Sequence, residues 1–158
     1  MKIVVMSDTH LNYATEELEK ICSRFCEGAD LVIHLGDWAR GGILTFMETY
    51  PLEAVCGNMD DQVIRERLPS KKVVRVGEFR IGMTHGWGSG QDLPRRLLHE
   101  FQDVDAILFG HTHQPLLKQD NGVLLFNPGS VFLGRGTHAQ TLGILHVNEE
   151  IEGEIVVL

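Results

Sequence analysis

The chain has 158 residues, 43% of them hydrophobic and 23% charged, the balance of an ordinary folded domain, which excludes a disordered chain. A formal net charge of −8 argues against a protein that grips a nucleic-acid polymer through a broad basic surface. No apolar run approaches the length of a membrane span or of a signal-peptide core, so the expectation is one cytoplasmic domain over residues 1–158.

Ile3 to Met6 is short, apolar and β-branched, as in a strand buried on both faces, and it runs into the polar loop SDTHLN. Leu18, Ile21, Cys22 and Phe25 then recur at helical spacing among charged residues, with Gly28 as the stop. Leu31 to Leu35 is the second strand and ends in Gly36-Asp37; a short helix is expected around Ile43 to Thr49, closed by Pro51. Glu53 to Cys56 is the third strand and ends in Gly57-Asn58. This alternation predicts a largely parallel sheet in the first half.

The second half reads differently. Lys72 to Val76 and Phe79 to Met83 flank a Gly77-Glu78 turn and predict a hairpin. Leu93 to Phe101 reads as a helix and Ala106 to Phe109 as a buried strand. Leu116 to Gln119 and Val123 to Phe126 flank Asp120-Asn121-Gly122, a strong turn signal. Leu142 to Val147 and Ile155 to Leu158 are expected to close a meander. Three cysteines, Cys22, Cys26 and Cys56, cannot all pair. Core packing is favoured for them over metal binding.

Five strand-ends finish in metal-ligand types: Asp8 and His10 after the first strand, Asp37 after the second, Asn58 after the third, His85 after Phe79 to Met83, and His111 with His113 after Ala106 to Phe109. Ligands of α/β sheets gather beyond the carboxyl ends of strands, so these seven side chains can converge. Taken singly each has a plain structural reading: a helix cap for Asp8-Thr9-His10, tight turns for Gly36-Asp37 and Gly57-Asn58. Their joint occurrence in one short chain outweighs those readings. Imidazole, carboxylate and amide donors suit manganese, iron, nickel or zinc, and the lack of cysteine ligands argues against a closed structural zinc site.

The blocks SDTH (Ser7 to His10), HLGD (His34 to Asp37), GNMD (Gly57 to Asp60), THG (Thr84 to Gly86), GHTH (Gly110 to His113) and NPGS (Asn127 to Ser130) resemble, in order, those of the calcineurin-like metallophosphoesterases, in particular their small single-domain bacterial and archaeal phosphodiesterases. The resemblance implies an α/β fold: a four-layer αββα sandwich of two mixed β-sheets flanked by helices. It also implies two divalent metal ions, manganese first, with nickel, iron or zinc as alternatives. One would be held by Asp8, His10, Asp37 and His113, the other by Asp37, Asn58, His85 and His111, so that Asp37 is the bridge and Asp37, Asn58 and His85 are central to catalysis. The implied reaction is hydrolysis of a small phosphate ester by metal-activated hydroxide, with no nucleic-acid polymer and no membrane as partner; a homo-oligomer is left open. A catalytically weak metal-binding scaffold for protein assembly is the alternative.

Many members of that family carry a histidine after the Gly-Asn pair, where it protonates the leaving oxygen. Met59 stands there instead and has no proton to give, which directs the expectation toward diesters. Three further expectations are narrower. Trp38, next to Asp37, walls the cleft; His34 is a hydrogen-bonded structural histidine; Arg135 reads as an exposed arginine, with contact to a substrate phosphate as the lesser alternative. His99, His138 and His146 lie outside the blocks and carry no assignment.

Overall fold

The computed structural model describes residues 1–132 and 139–158; Arg135 and His138 lie outside them. Two five-stranded mixed sheets pack face to face with helices on both outer sides. The first sheet has the order β10-β9-β1-β2-β3, from β1 (Lys2–Met6), β2 (Leu31–His34), β3 (Leu52–Ala54), β9 (Thr141–Val147) and β10 (Ile151–Val157). β1, β2 and β3 are parallel, β9 pairs antiparallel with β1, and β10 pairs antiparallel with β9 at the edge. The second sheet runs β4-β5-β6-β8-β7, from β4 (Lys71–Val76), β5 (Phe79–Thr84), β6 (Ala106–Phe109), β7 (Leu116–Asp120) and β8 (Val123–Asn127). Here β5, β6 and β8 are parallel and the two edge strands antiparallel.

The period of two along each strand sorts side chains into layers. On β1, Val4 and Met6 face the helices, while Ile3 and Val5 face the opposite sheet. The outer layer over the first sheet is built by α1 (Glu16–Phe25), α2 (Gly41–Met47) and α3 (Gln62–Arg67), through Leu18, Cys22, Ile43, Leu44, Met47 and Ile64. α4 (Leu93–Glu100) covers the second sheet with Leu93 and Leu97 against Ile107, Phe109 and Leu125. α1 starts where Thr15 accepts a hydrogen bond from the Leu18 N–H at 3.3 Å, with Glu16, Glu17 and Glu19 in its first turn to favour the positive end of the helix dipole. Cys22 and Cys26 are buried in the helix-side core.

Two expectations need correcting. The last strands do not close one meander: β7–β8 belong to the second sheet and β9–β10 to the first. A hairpin's own turn and alternation say nothing about which sheet it joins, since the partner strand is remote in sequence. β10 also begins at Ile151, not Ile155, because Glu152 and Glu154 are the exposed alternates of an edge strand. The sequence gives no expectation of α3, whose six residues bury only Ile64.

The inter-sheet core is tight where β9 crosses Phe126. A Cβ built on Gly143 would lie 2.3 Å from two ring atoms of Phe126, a fully buried side chain. Gly143→Ala is expected to destabilise the fold by about 1–3 kcal/mol through overpacking. Urea denaturation measures this, with an unchanged midpoint as the contrary result.

Candidate metal centre

The seven expected side chains sit on loops at the carboxyl ends of β1, β2, β3, β5 and β6. The first two loops are zipped together along their backbones: Asp8 N–H donates to Gly36 O (3.0 Å), His10 N–H to Asp37 O (3.0 Å) and Leu11 N–H to Trp38 O (2.8 Å). That places Asp8 and His10 beside Asp37. Asp8, His10, Asp37, His111 and His113 all have positive φ, between 51° and 68°, a region costly for residues with a Cβ. Such strain persists where the surroundings fix it and concentrates at functional sites. Gly110 lets the loop after β6 approach β1, since a Cβ there would stand 1.9 Å from Ser7 Oγ and 2.9 Å from Asp8 Oδ2.

Asp8 and Asp37 are almost wholly buried, and imidazoles surround them. Asp8 Oδ1 lies 3.1 Å from His113 Nε2, 3.8 Å from His10 Nε2 and 3.9 Å from His85 Nε2. Asp37 Oδ2 lies 3.3 Å from His85 Nε2 and 3.9 Å from His10 Nε2. Among the described residues, two groups thus gather ligand atoms closely enough for one ion each: Asp8, His10 and His113, and Asp8, Asp37 and His85. Both carboxylates face both groups. His111 and Asn58 stand alongside, with the His111 ring 5.2 Å from that of His85 and its Nδ1 3.0 Å from Asn58 Oδ1.

The donor set fits a cation on three counts. Asp8 Oδ1 and His85 Nε2 are buried without a hydrogen-bond partner among the described residues, a costly arrangement unless something else satisfies them. His85 Nδ1–H donates to Leu35 O at 2.8 Å, which leaves the Nε2 lone pair aimed at Asp8 and Asp37, the orientation that an outer carbonyl imposes on a metal-binding histidine. His111 Nε2–H donates to Gly88 O at 2.9 Å, so a neutral ring turns the Nδ1 lone pair toward the Asn58 oxygen. His10 Nε2 and His113 Nε2 likewise face each other at 3.3 Å. A cation between such facing donors removes the repulsion.

The charges interact accordingly. Burial works to raise the Asp37 carboxyl, but His85, the Met59 N–H and His10 outweigh it and hold it below its ordinary value. Burial works to lower the His85 imidazole, but Asp37 and Asp8 outweigh it and raise it. The Asp8 carboxylate raises His113.

Trp38 does not wall the cleft. It is fully buried, donates from Nε1 to Val55 O at 3.0 Å and stacks on His34 with ring centroids 3.5 Å apart. The residue after Asp37 turns inward because its backbone N–H is anchored on Asp60. His34 has the expected structural role: its Nδ1 accepts from Gly36 N–H at 3.2 Å, so Nε2–H is left to donate to Thr9 Oγ1 at 3.2 Å. Burial keeps it neutral by pushing its pKa well down.

Two sets of positioning residues escaped the site assignment. Asp60 accepts from Trp38 N–H (2.6 Å), Ala39 N–H (3.0 Å) and Gly57 N–H (2.6 Å), tying the loops of Asp37 and Asn58 together. In the NPGS block, Asn127 Nδ2 donates to Gly110 O at 2.9 Å and Ser130 Oγ lies 2.9 Å from Asp8 O, which it can serve as donor. Their blocks were the only sequence signal. Met59 is 62% exposed; its backbone N–H donates to Asp37 Oδ1 at 2.7 Å.

A family model described as the calcineurin-like phosphoesterase superfamily domain matches residues 1–150. A probable metallophosphoesterase of Methanothermobacter thermautotrophicus is 32% identical, over 99% of this chain and 92% of its own. Among solved structures, an archaeal phosphodiesterase is 26% identical with a TM-score of 0.74 and full coverage of both chains. Vps29 of Chaetomium thermophilum has a TM-score of 0.78 at 18% identity, covering 100% of this chain and 97% of its own, and shares the fold.

Proposed function

Because this chain belongs to the calcineurin-like phosphoesterase superfamily, we propose that it is a metal-dependent phosphodiesterase acting on small phosphate diesters. The observation that carries the reading is the convergence of buried Asp8 and Asp37 with His10, His85 and His113, including ligand-type atoms without hydrogen-bond partners among the described residues. Asp8, His10, Asp37 and His113 would hold one divalent ion and Asp37, Asn58, His85 and His111 a second, manganese being the first candidate and nickel, iron or zinc the others. When bound, such a pair supplies electrophilic polarisation of the phosphoryl oxygens and a hydroxide nucleophile near neutral pH.

The chain's own residues do the rest by orientation. Leu35 O and Gly88 O fix the ring tautomers of His85 and His111, and the N–H groups of Met59 and His111 hold Asp37 Oδ1 and Asp8 Oδ2. Met59 offers no acid for a leaving alkoxide. This favours activated esters and diesters, and a phosphodiesterase is what the name of the archaeal structural relative prints.

Chelation is expected to abolish hydrolysis of bis(p-nitrophenyl) phosphate, and readdition of single metals to restore it, manganese best. The diester should be turned over with higher kcat/KM than an alkyl phosphomonoester under the same metal conditions. Absence of metal-restored turnover across several metals and substrates would overturn the reading in favour of a scaffold.

A further inference from the structure

We propose that the cleft beside Asn58 and His85 binds a planar aromatic group carried by the phosphate ester, stacked on Trp87. This rests on the phosphoesterase reading and extends it to the class of ester. The cleft has a volume of about 630 Å³, and Asn58, His85, Trp87, Arg65 and Lys71 are among its lining residues. That size lies within the roughly 300–1,000 Å³ usual for small organic ligands. Trp87 lines the same cleft as Asn58 and His85, so a ring stacked on it can belong to a molecule whose phosphate meets the candidate metal ligands.

The chain has two tryptophans in opposite situations. Trp38 is fully buried, whereas Trp87 is 44% exposed. Arg96 holds Trp87 in place. Its Nη2 donates to Trp87 O and to Ser89 O, each at 2.8 Å, and its guanidinium carbon lies 5.4 Å from the indole centroid. The guanidinium occupies one side of the ring from outside the cleft lining, a cation–π contact that pre-orders the platform before a ligand arrives. Arg65 donates from Nη2 to Asn58 O at 2.7 Å and keeps further N–H donors for ligand oxygens. Lys71, also on the lining, is paired with Glu100. An aromatic platform with a nearby guanidinium suits a planar ring bearing acceptors. A nucleobase and a simple aryl ring share this chemistry, and base–aromatic stacking is tolerant of the ring's identity.

The test is calorimetric titration of the metal-loaded protein with thymidine 5′-monophosphate, phenyl phosphate and methyl phosphate. Wild type should bind both aromatic ligands more tightly than methyl phosphate. A nucleoside occupant is indicated if the thymidine compound exceeds phenyl phosphate, an aryl occupant if the two are equal. Trp87→Ala should reduce the aromatic-over-methyl affinity ratio by about five- to a hundred-fold, the range of one stacking contact, while Trp87→Phe keeps most of it. The proposal is overturned if wild type shows no aromatic preference, or if Trp87→Ala weakens all three ligands equally. Metal-restored hydrolysis of bis(p-nitrophenyl) phosphate in the same preparation separates the two failures. Turnover without aromatic preference removes the subsite alone, and ligand preference without turnover removes the hydrolase reading alone.

Discussion

Asp37→Asn is expected to lower metal-restored diester hydrolysis by about a hundred- to a thousand-fold, the scale for loss of a group that stabilises transition-state charge. The substitution keeps shape and removes charge. One oxygen of Asp37 accepts the Met59 N–H and the other faces His85 and His10, so asparagine can preserve the first contact while losing the anion that two adjacent cations need between them. Metal analysis after dialysis should fall from two ions per chain to one or none. Asp8→Asn is the informative partner, because Asp8 Oδ1 also lies within 4 Å of three imidazoles. If Asp37 is the bridge, Asp8→Asn weakens one ion selectively and Asp37→Asn weakens both. The reverse pattern would transfer the bridging role to Asp8, and full activity in Asp37→Asn would sink the shared-ligand assignment altogether.

Much of this site was legible because a parallel strand is short, apolar and ends abruptly. The runs before Asp8, Asp37 and His111 are each bounded by polar residues or glycine, and those boundaries locate the loops. What the pattern lacks is partnership across the chain. The indole of Trp38 and the carboxylate of Asp60 exchange their expected importance for that reason. An aromatic beside a candidate ligand reads as a cleft wall, and Asp60, at the end of its block, carries no assignment of its own. Only the position of the Trp38 N–H relative to Asp60 reveals that one residue is drawn inward and the other binds the loops together. The hairpins pose the same problem at larger scale, since β7–β8 and β9–β10 have similar local signals and join different sheets.

Asp60→Ala is accordingly expected to damage both stability and activity although Asp60 is outside the candidate ligand set. Its carboxylate satisfies three backbone donors, and truncation leaves the N–H groups of Trp38, Ala39 and Gly57 without that acceptor. Each buried donor left unpaired costs roughly 1–3 kcal/mol. With water able to reach the less buried ones, a total of about 3–5 kcal/mol is expected, or a fall of about 6–20 °C in Tm for a domain of this size. Asn is the finer probe. Oδ1 can still accept from Trp38 and Ala39, but if the amide NH₂ replaces Oδ2 it meets the Gly57 N–H donor to donor, freeing the loop that carries Asn58 while leaving that of Asp37 tied. Asp60→Asn should therefore fold with a smaller loss of Tm and still show impaired binding of the second metal ion and reduced turnover at a temperature where it is fully native. Wild-type metal stoichiometry and turnover in Asp60→Asn would mean that the Gly57 contact serves folding alone.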